Sequence, residues 1–195
     1  LQAGSDEREV LRPEALLPLL RNFTHKVVHN YRFGFGTHED ELLAAGAHLV
    51  GVDRLGGMAR LGELLVEHGH RRVAFVFEAN APVLGAELRD LGLEVHTVTG
   101  TTAEATSLTL YRPELRERVM DCYRTHGVTA MVFNNDQSAM AALLAAEENG
   151  LHVPGDLTLV AWAGSVYAEG LRVPLTTVDI PIPAMVERSL ELLAT

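Results

Sequence analysis

From about residue 37 onward, helical hydrophobic spacing alternates with short continuous apolar runs. Met58, Leu61 and Leu65 fall on one helical face, Gly69 follows as a helix-ending residue, and residues 73–77 form an apolar run typical of a buried strand. This alternation predicts an α/β fold with a parallel sheet flanked by helices. Further helices are predicted at 37–46, 84–92, 113–127 and 138–150, and the strands that follow them at 47–52, 93–98, 128–133 and 157–161. A strand near 176–180 and a helix from residue 183 complete the prediction.

The first 36 residues follow this pattern less clearly. A short helix is predicted within residues 13–20, and the aromatic and glycine alternation YRFGFG at 31–36 fits either a strand or a loop. The chain opens on Leu1 rather than Met, and its first dozen residues are polar and charged. This beginning indicates a fragment of a longer protein.

The composition is that of an ordinary globular protein, with 47% hydrophobic and 22% charged residues. No apolar run approaches the roughly 18 residues that a membrane span needs. The net charge of −10 leaves no basic stripe for phosphates, so any DNA-binding part of the protein is expected elsewhere. The single cysteine, Cys122, can form neither an internal disulfide nor a thiolate metal site, which fits a reducing cytoplasm.

Polar side chains follow several of the predicted strands, at the position where ligands bind in open parallel sheets. The densest group is NNDQ at 134–137, after the apolar run that ends at Phe133. Four neighbouring donors and acceptors suit a small polyhydroxylated or heterocyclic ligand. Asn135 and Asp136 can equally cap the helix that follows, and the spacing leaves both interpretations open.

The sequence lacks the nucleophile elbow, the phosphate loop, the dinucleotide fingerprint and the zinc-protease motif. His, Glu and Asp at 38–40 are adjacent, and adjacent helical residues point in different directions, so no metal site is expected there. His68 and His70 flank Gly69 at a helix end and are predicted to bond the terminal carbonyls. Cys122 lies on an apolar helical face, as a core residue does. We therefore expect no enzyme, no cofactor and no metal.

Several blocks carry a resemblance to a known family. These blocks are GVDR at 51–54 with Gly57 and Ala59, EHGHRRVAFV at 67–76, TAMVFNNDQSA at 129–139, and NGLHVPGDLTLVAW at 149–162 followed by PLTTV at 174–178 and PI at 181–182. With them the chain resembles, over roughly residues 47–193, the effector-binding domain of the lac-repressor (LacI/GalR) family of bacterial transcription regulators.

The resemblance implies a two-lobed, periplasmic-binding-protein-like (type I) fold with a small effector bound in the cleft between the lobes. Residues 1–54 with 182–195 would form an incomplete amino-terminal lobe, and residues 55–181 the carboxy-terminal lobe. The implied function is ligand sensing and dimerisation in a cytoplasmic regulator, whose helix-turn-helix domain outside this chain binds operator DNA. The expected partners are a sugar-like effector and a second copy of the chain, without a membrane.

Four residues are expected to contact the effector. Asn135 occupies the place of the family's sugar-binding asparagine, Trp162 would form an apolar or stacking wall, and Asp53 lies at the crossover between lobes. Tyr111, in a loop between strands, is a further stacking candidate. Two family features are missing, because Ala and Gly at 163–164 replace an acidic pair and no arginine opens the helix after residue 77. The usual clamp on a sugar is therefore not predicted.

Two other functions remain as alternatives. A solute-binding protein of a transport system would share the fold but should carry an export signal, and none is visible. A flavodoxin-like or hydrolytic α/β enzyme would need a nucleophile, a base and an orienting residue, which the sequence does not supply. The ligand-sensing domain is the preferred hypothesis.

Overall fold

The computed structural model of the chain describes residues 18, 20–30, 39–76, 81–98 and 113–194. The chain divides into two compact units. Unit 1 comprises Leu1–Val52 and Pro181–Thr195, and unit 2 comprises Asp53–Ile180. Each unit contains parallel strands flanked by helices, which confirms the predicted α/β class.

Most of the predicted helix–strand pairs are present with bounds shifted by a few residues, and two elements were not predicted. One is the first strand, whose four residues are too short to establish a period, and the other is a single helical turn near residue 166. The described elements are β1 (Val27–Asn30), α1 (Glu39–Ala44), β2 (His48–Gly51), α2 (Arg54–Glu67), β3 (Arg72–Val76), α3 (Ala81–Asp90), β4 (Glu94–Val98), α4 (Pro113–His126), β5 (Ala130–Phe133), α5 (Asp136–Glu148), β6 (Thr158–Ala163), α6 (Val166–Glu169), β7 (Thr176–Asp179) and α7 (Ile182–Leu193).

The sheet of unit 2 has five parallel strands in the order β4-β3-β5-β6-β7. From β3 the chain first adds β4 on one side of the sheet and then adds β5, β6 and β7 on the other side, so the order of the strands reverses between β3 and β5. Open sheets of this kind bind ligands outside the carboxyl ends of their strands. The residues after β3, at 77–80, lie outside the described residues. The polar residues after β5 and β6 are described and lie at this edge.

Both faces of the five-stranded sheet are buried, as the continuous apolar runs predict. One face packs with α4 and α5, and its core includes Ala74, Met131, Phe133, Leu159 and Ala161. Side chains alternate along a strand, so Val73, Phe75, Val132, Val160 and Trp162 point to the opposite face, and all five are at most 2% exposed. Cys122 belongs to the first core and is 8% exposed, and its burial raises the pKa of the thiol.

Unit 1 is smaller in its described part. β1 pairs in parallel with β2, and Leu20, Leu42 and Ala47 form its buried apolar cluster. The helix predicted within 13–20 and the aromatic stretch at 31–36 lie outside the described residues, apart from residues 18 and 20. Among the described residues, no helix is long and apolar enough to cross a membrane.

The two histidines that flank Gly69 have different partners. His68 Nδ1 bonds the carbonyl oxygen of Leu64 at 2.9 Å, as predicted for a helix end. His70 does not: its Nδ1 lies 2.8 Å from Thr129 Oγ1, beside β5. Burial and the neighbouring charge of His68 lower the pKa of His70 below its ordinary value of 6.5.

This pKa shift predicts a stability loss in acid. Because the folded-state pKa of His70 is below the unfolded value of about 6.5, the unfolded chain binds the proton more readily, and stability falls as the pH drops from about 6.5 toward and through the lower folded-state pKa. In His70→Gln this contribution is absent, so its urea midpoint should decline less than that of the wild type between pH 7.5 and pH 5. Urea denaturation followed by far-UV circular dichroism measures both midpoints. Parallel curves for the two proteins would contradict the assignment.

Candidate functional site

The first turn of α2 lies against the carboxyl ends of β6 and β7. A Cβ atom at Gly57 would come within 2.8 Å of Trp162 Cη2 and 3.4 Å of Val178 Cγ1. Trp162 and Val178 are register partners in adjacent strands and therefore share one face of the sheet. Glycine at position 57 is what lets the helix approach this face so closely.

Trp162, predicted as an apolar or stacking wall, is 2% exposed. The guanidinium carbon of Arg54 lies 4.8 Å from the centroid of its ring, in cation–π contact. The indole Nε1 is buried, and it has no hydrogen-bond partner in the part of the chain that the structure describes. A buried donor without a partner costs free energy, so a ligand acceptor here would be favourable.

Asn135 is the N-cap of α5. Its Oδ1 accepts a hydrogen bond from the backbone N–H of Ser138 at 2.8 Å, and its Nδ2 donates to Asn134 Oδ1 at 3.0 Å. Asparagine at this position leaves one further lone pair on Oδ1 and one further N–H on Nδ2. The capping interpretation is therefore correct for Asn135, and a contact with a ligand would add to the cap.

Asp136 does not cap its helix, contrary to expectation. It is the first residue of α5, it is 1% exposed, and its carboxylate bonds other parts of the sheet edge. Oδ2 accepts from the backbone N–H of Ser165 at 2.5 Å, and Oδ1 accepts from Thr177 Oγ1 at 2.9 Å. Thr177 Oγ1 also accepts from the backbone N–H of Gly164 at 3.0 Å. Asn135 is the cap because it precedes the first helical residue, the position from which a side-chain oxygen reaches the N–H groups of the first turn.

The backbone after Trp162 has an unusual conformation. Ala163 has φ = +134° and Gly164 has φ = +62°, values that L side chains rarely adopt. A Cβ at Gly164 would lie 2.9 Å from the Cα of Asp179, so the end of β6 passes very close to β7. The bonds from Gly164 and Ser165 to Thr177 and Asp136 hold this strained segment in place.

The structure describes Asp53, the third predicted residue, at the start of α2. Asp53 is exposed, caps α2 by accepting from the backbone N–H of Gly56 at 2.9 Å, and is the first residue of unit 2. Tyr111 lies outside the described residues. Among the described residues, no group of three or more His, Cys, Asp or Glu side chains is arranged to hold a metal ion.

Sequence reasoning missed two residues of this site, Arg54 and Thr177. Arg54 belongs to the GVDR block and opens a helix, which is an uncommon position for an arginine because the helix dipole favours acidic residues there. A positive charge at the start of a helix was the feature of the sequence that could have indicated Arg54. Thr177 belongs to an ordinary strand pattern, and no feature of the sequence indicated its role.

The similarity of this chain to known proteins agrees with this architecture. Residues 63–195 match the family of periplasmic binding protein-like domains, and the chain belongs to that family. The resemblance to effector-binding domains of LacI/GalR regulators is confirmed, since the curated relatives are HTH-type transcriptional regulators.

Two such relatives are 29% identical to this chain. They are the HTH-type transcriptional regulator CelR of Thermobifida fusca, matched over 70% of this chain, and GalR of Escherichia coli K12, matched over 66%. The matched segments span 41% and 38% of the relatives' own lengths. Among solved structures, a LacI family transcriptional regulator from Lactobacillus casei with bound glucose is similar at a TM-score of 0.71 and 17% identity, covering 94% of this chain and 68% of the other. This last similarity concerns the fold.

Because both oxygens of the Asp136 carboxylate accept hydrogen bonds, we expect substitution of this residue to lower the stability of the fold. In Asp136→Asn only one oxygen remains for two donors, so one bond is lost and an amide N–H faces a donor. We expect a loss of about 2 kcal/mol in the free energy of unfolding. Thr177→Val should lose about 1 kcal/mol, whereas Thr176→Val, an exposed neighbour on β7, should stay within about 0.5 kcal/mol. Urea denaturation gives all three free energies of unfolding. An Asp136→Asn variant as stable as the wild type would contradict the hydrogen bonds described for this carboxylate.

Gly57→Ala should disturb the tryptophan directly. The added methyl group overlaps Trp162, and overpacking of this kind costs about 1–3 kcal/mol. Because the chain has a single tryptophan, its fluorescence emission should also shift as the ring moves. The matched control is Gly85→Ala in α3, where the nearest atoms to the new methyl group belong to the flexible guanidinium of Arg89, at 3.3 Å. Equal stability changes in the two variants would argue against a close contact at Gly57.

Proposed function

We propose that this chain is the ligand-sensing part of a LacI/GalR-type transcriptional regulator and binds a small, sugar-like molecule. In this proposal the protein works in the cytoplasm as a homodimer, without catalysis, and reaches operator DNA through a helix-turn-helix domain outside this chain. The curated relatives, which are HTH-type transcriptional regulators by name, support the class. The glucose held by the Lactobacillus casei protein supports the chemical nature of the effector.

The observation that carries the proposal is the buried indole N–H of Trp162 at the carboxyl end of β6. It is a donor without a partner in the described residues, at the edge where open parallel sheets bind ligands. The remaining hydrogen-bonding capacity of the Asn135 amide lies at the end of the neighbouring strand, β5. We propose Asn135, Trp162, Asp53 and Tyr111 as the effector-contacting residues.

The proposed mechanism is a shift between two arrangements of the lobes. We assign residues 1–54 with 182–195 to one lobe and residues 55–181 to the other. A ligand favours one arrangement only by binding it more tightly than the other, so the effector must contact groups whose positions depend on that arrangement. The resulting change would be transmitted to the DNA-binding domain.

A thermal-shift screen against sugars, sugar phosphates, purines and amino acids tests the proposal. A ligand at about 100 times its dissociation constant adds roughly 2.7 kcal/mol, which raises the melting temperature by several degrees for a chain of this size. We expect a response confined to one chemical class. If a folded sample gives no response to any class, the ligand-sensing proposal is wrong.

Two variants separate the cap from the ligand contact of Asn135. Asn135→Ala should lose about 1 kcal/mol of stability together with binding, because it removes both the cap and the amide. Asn135→Ser keeps a good capping oxygen and removes the amide, so it should melt close to the wild type and still bind the screening hit at least 10-fold more weakly. Isothermal titration calorimetry measures the affinities. Full binding by Asn135→Ser would exclude the residue from the site.

A further inference from the structure

We propose that the effector carries an acidic group, a carboxylate or a phosphate, and that Arg54 stacked on Trp162 is the residue that recognises it. The inference rests on the proposed function and narrows its ligand class. The face of Trp162 was expected to stack on the ligand. That ring lies under the guanidinium of Arg54, 4.8 Å from ring centroid to guanidinium carbon. On that side, a ligand meets the guanidinium rather than the indole face.

The stacked geometry favours an anion. A guanidinium in contact with an aromatic ring uses its flat face, while its five N–H donors lie in its plane and point outward. Arg54 has a further contact within the chain, and its guanidinium carries five N–H donors in all. Carboxylates and phosphates match this fork of donors, and neutral hydroxyl groups do so less well.

The second donor at this position is the indole N–H. The Cζ2–Cη2 edge of Trp162 faces Gly57 in the first turn of α2, at 3.4 Å and 2.8 Å from the Cβ position. Nε1 is bonded to the ring carbon next to Cζ2, so it lies near this edge of the indole. Nε1 is buried and has no partner in the described ranges. An indole N–H without a partner, in the same ring on which a guanidinium stacks, favours a ligand rich in acceptor atoms.

Two carboxylates in this region are bonded to other groups. Asp53 accepts from the backbone N–H of Gly56, and Asp136 accepts from Ser165 and Thr177. Arg54 is also the first residue of a 14-residue helix, whose amino-terminal dipole adds positive potential. This dipole adds to the charge of the guanidinium at one point of a chain whose net charge is −10.

Trp162, the single tryptophan of the chain, lies directly under the proposed recognition residue and reports on it. The chain is titrated with glucose, glucose 6-phosphate, glucuronate and inorganic phosphate while tryptophan fluorescence is recorded. We expect glucose 6-phosphate or glucuronate, the two acidic sugars, to bind about 10- to 100-fold more tightly than glucose. This is the range expected for a charge-assisted hydrogen bond. Preference for the phosphate ester or for the uronate identifies which acid group the site takes. The preference should weaken as salt concentration rises.

Arg54→Gln should abolish the preference for acids, and Arg54→Lys should keep part of it because the charge remains without the planar fork. Arg60→Gln is the matched control. Arg60 lies on the same helix, is exposed and pairs with Glu63 at 2.8 Å, so its loss changes the net charge equally without touching Trp162. Circular dichroism verifies that each variant is folded.

Three results would overturn the inference. They are glucose binding as tightly as the acids, a preference for acids that survives in Arg54→Gln, and the absence of any fluorescence or melting response to the acids and to inorganic phosphate. If neutral compounds from the wider screen bind while the acids do not, the acidic group is wrong and the ligand-sensing function stands. If a folded sample binds neither kind of compound, both proposals fail.

Discussion

The carboxylate of Asp136 holds the ends of three strands in one arrangement. It belongs to the helix that follows β5, and it bonds the backbone after β6 and the hydroxyl of Thr177 in β7. Burying a carboxylate is costly unless its oxygens are bonded, and here both oxygens accept hydrogen bonds at the start of a helix, whose dipole favours a negative group. The strained conformation of Ala163 persists because these bonds fix the segment that follows it.

The proposed ligand groups depend on that arrangement in different ways. Trp162 immediately precedes the strained residue, so the position of its ring is set by the end of β6 on one side and by the close approach of α2 at Gly57 on the other. Arg54 in turn is positioned by the ring and by the start of its helix. A recognition group built on packed elements in this way is more rigid than one carried by a loop.

Periodicity was sufficient for the strands and the longer helices of unit 2, because these have buried faces and glycine or proline follows or opens several of them, but it did not predict the single turn of α6. It failed for β1, which is too short to display a period. At the candidate site, spacing placed Asn135 and Asp136 together but could not divide their roles, since capping depends on which residue starts the helix. The contact of Arg54 with Trp162 joins residues far apart in the chain, and only tertiary packing creates it.

The positive φ of Ala163 also bears on how this protein can change over time. A non-glycine residue in such a conformation stores on the order of 1–3 kcal/mol of strain, and glycine adopts it freely. A lineage could therefore gain stability at this one position without altering any side chain that faces a ligand. The added stability would tolerate new, destabilising substitutions at the proposed binding site, so the proposed effector specificity could change more easily after Ala163→Gly.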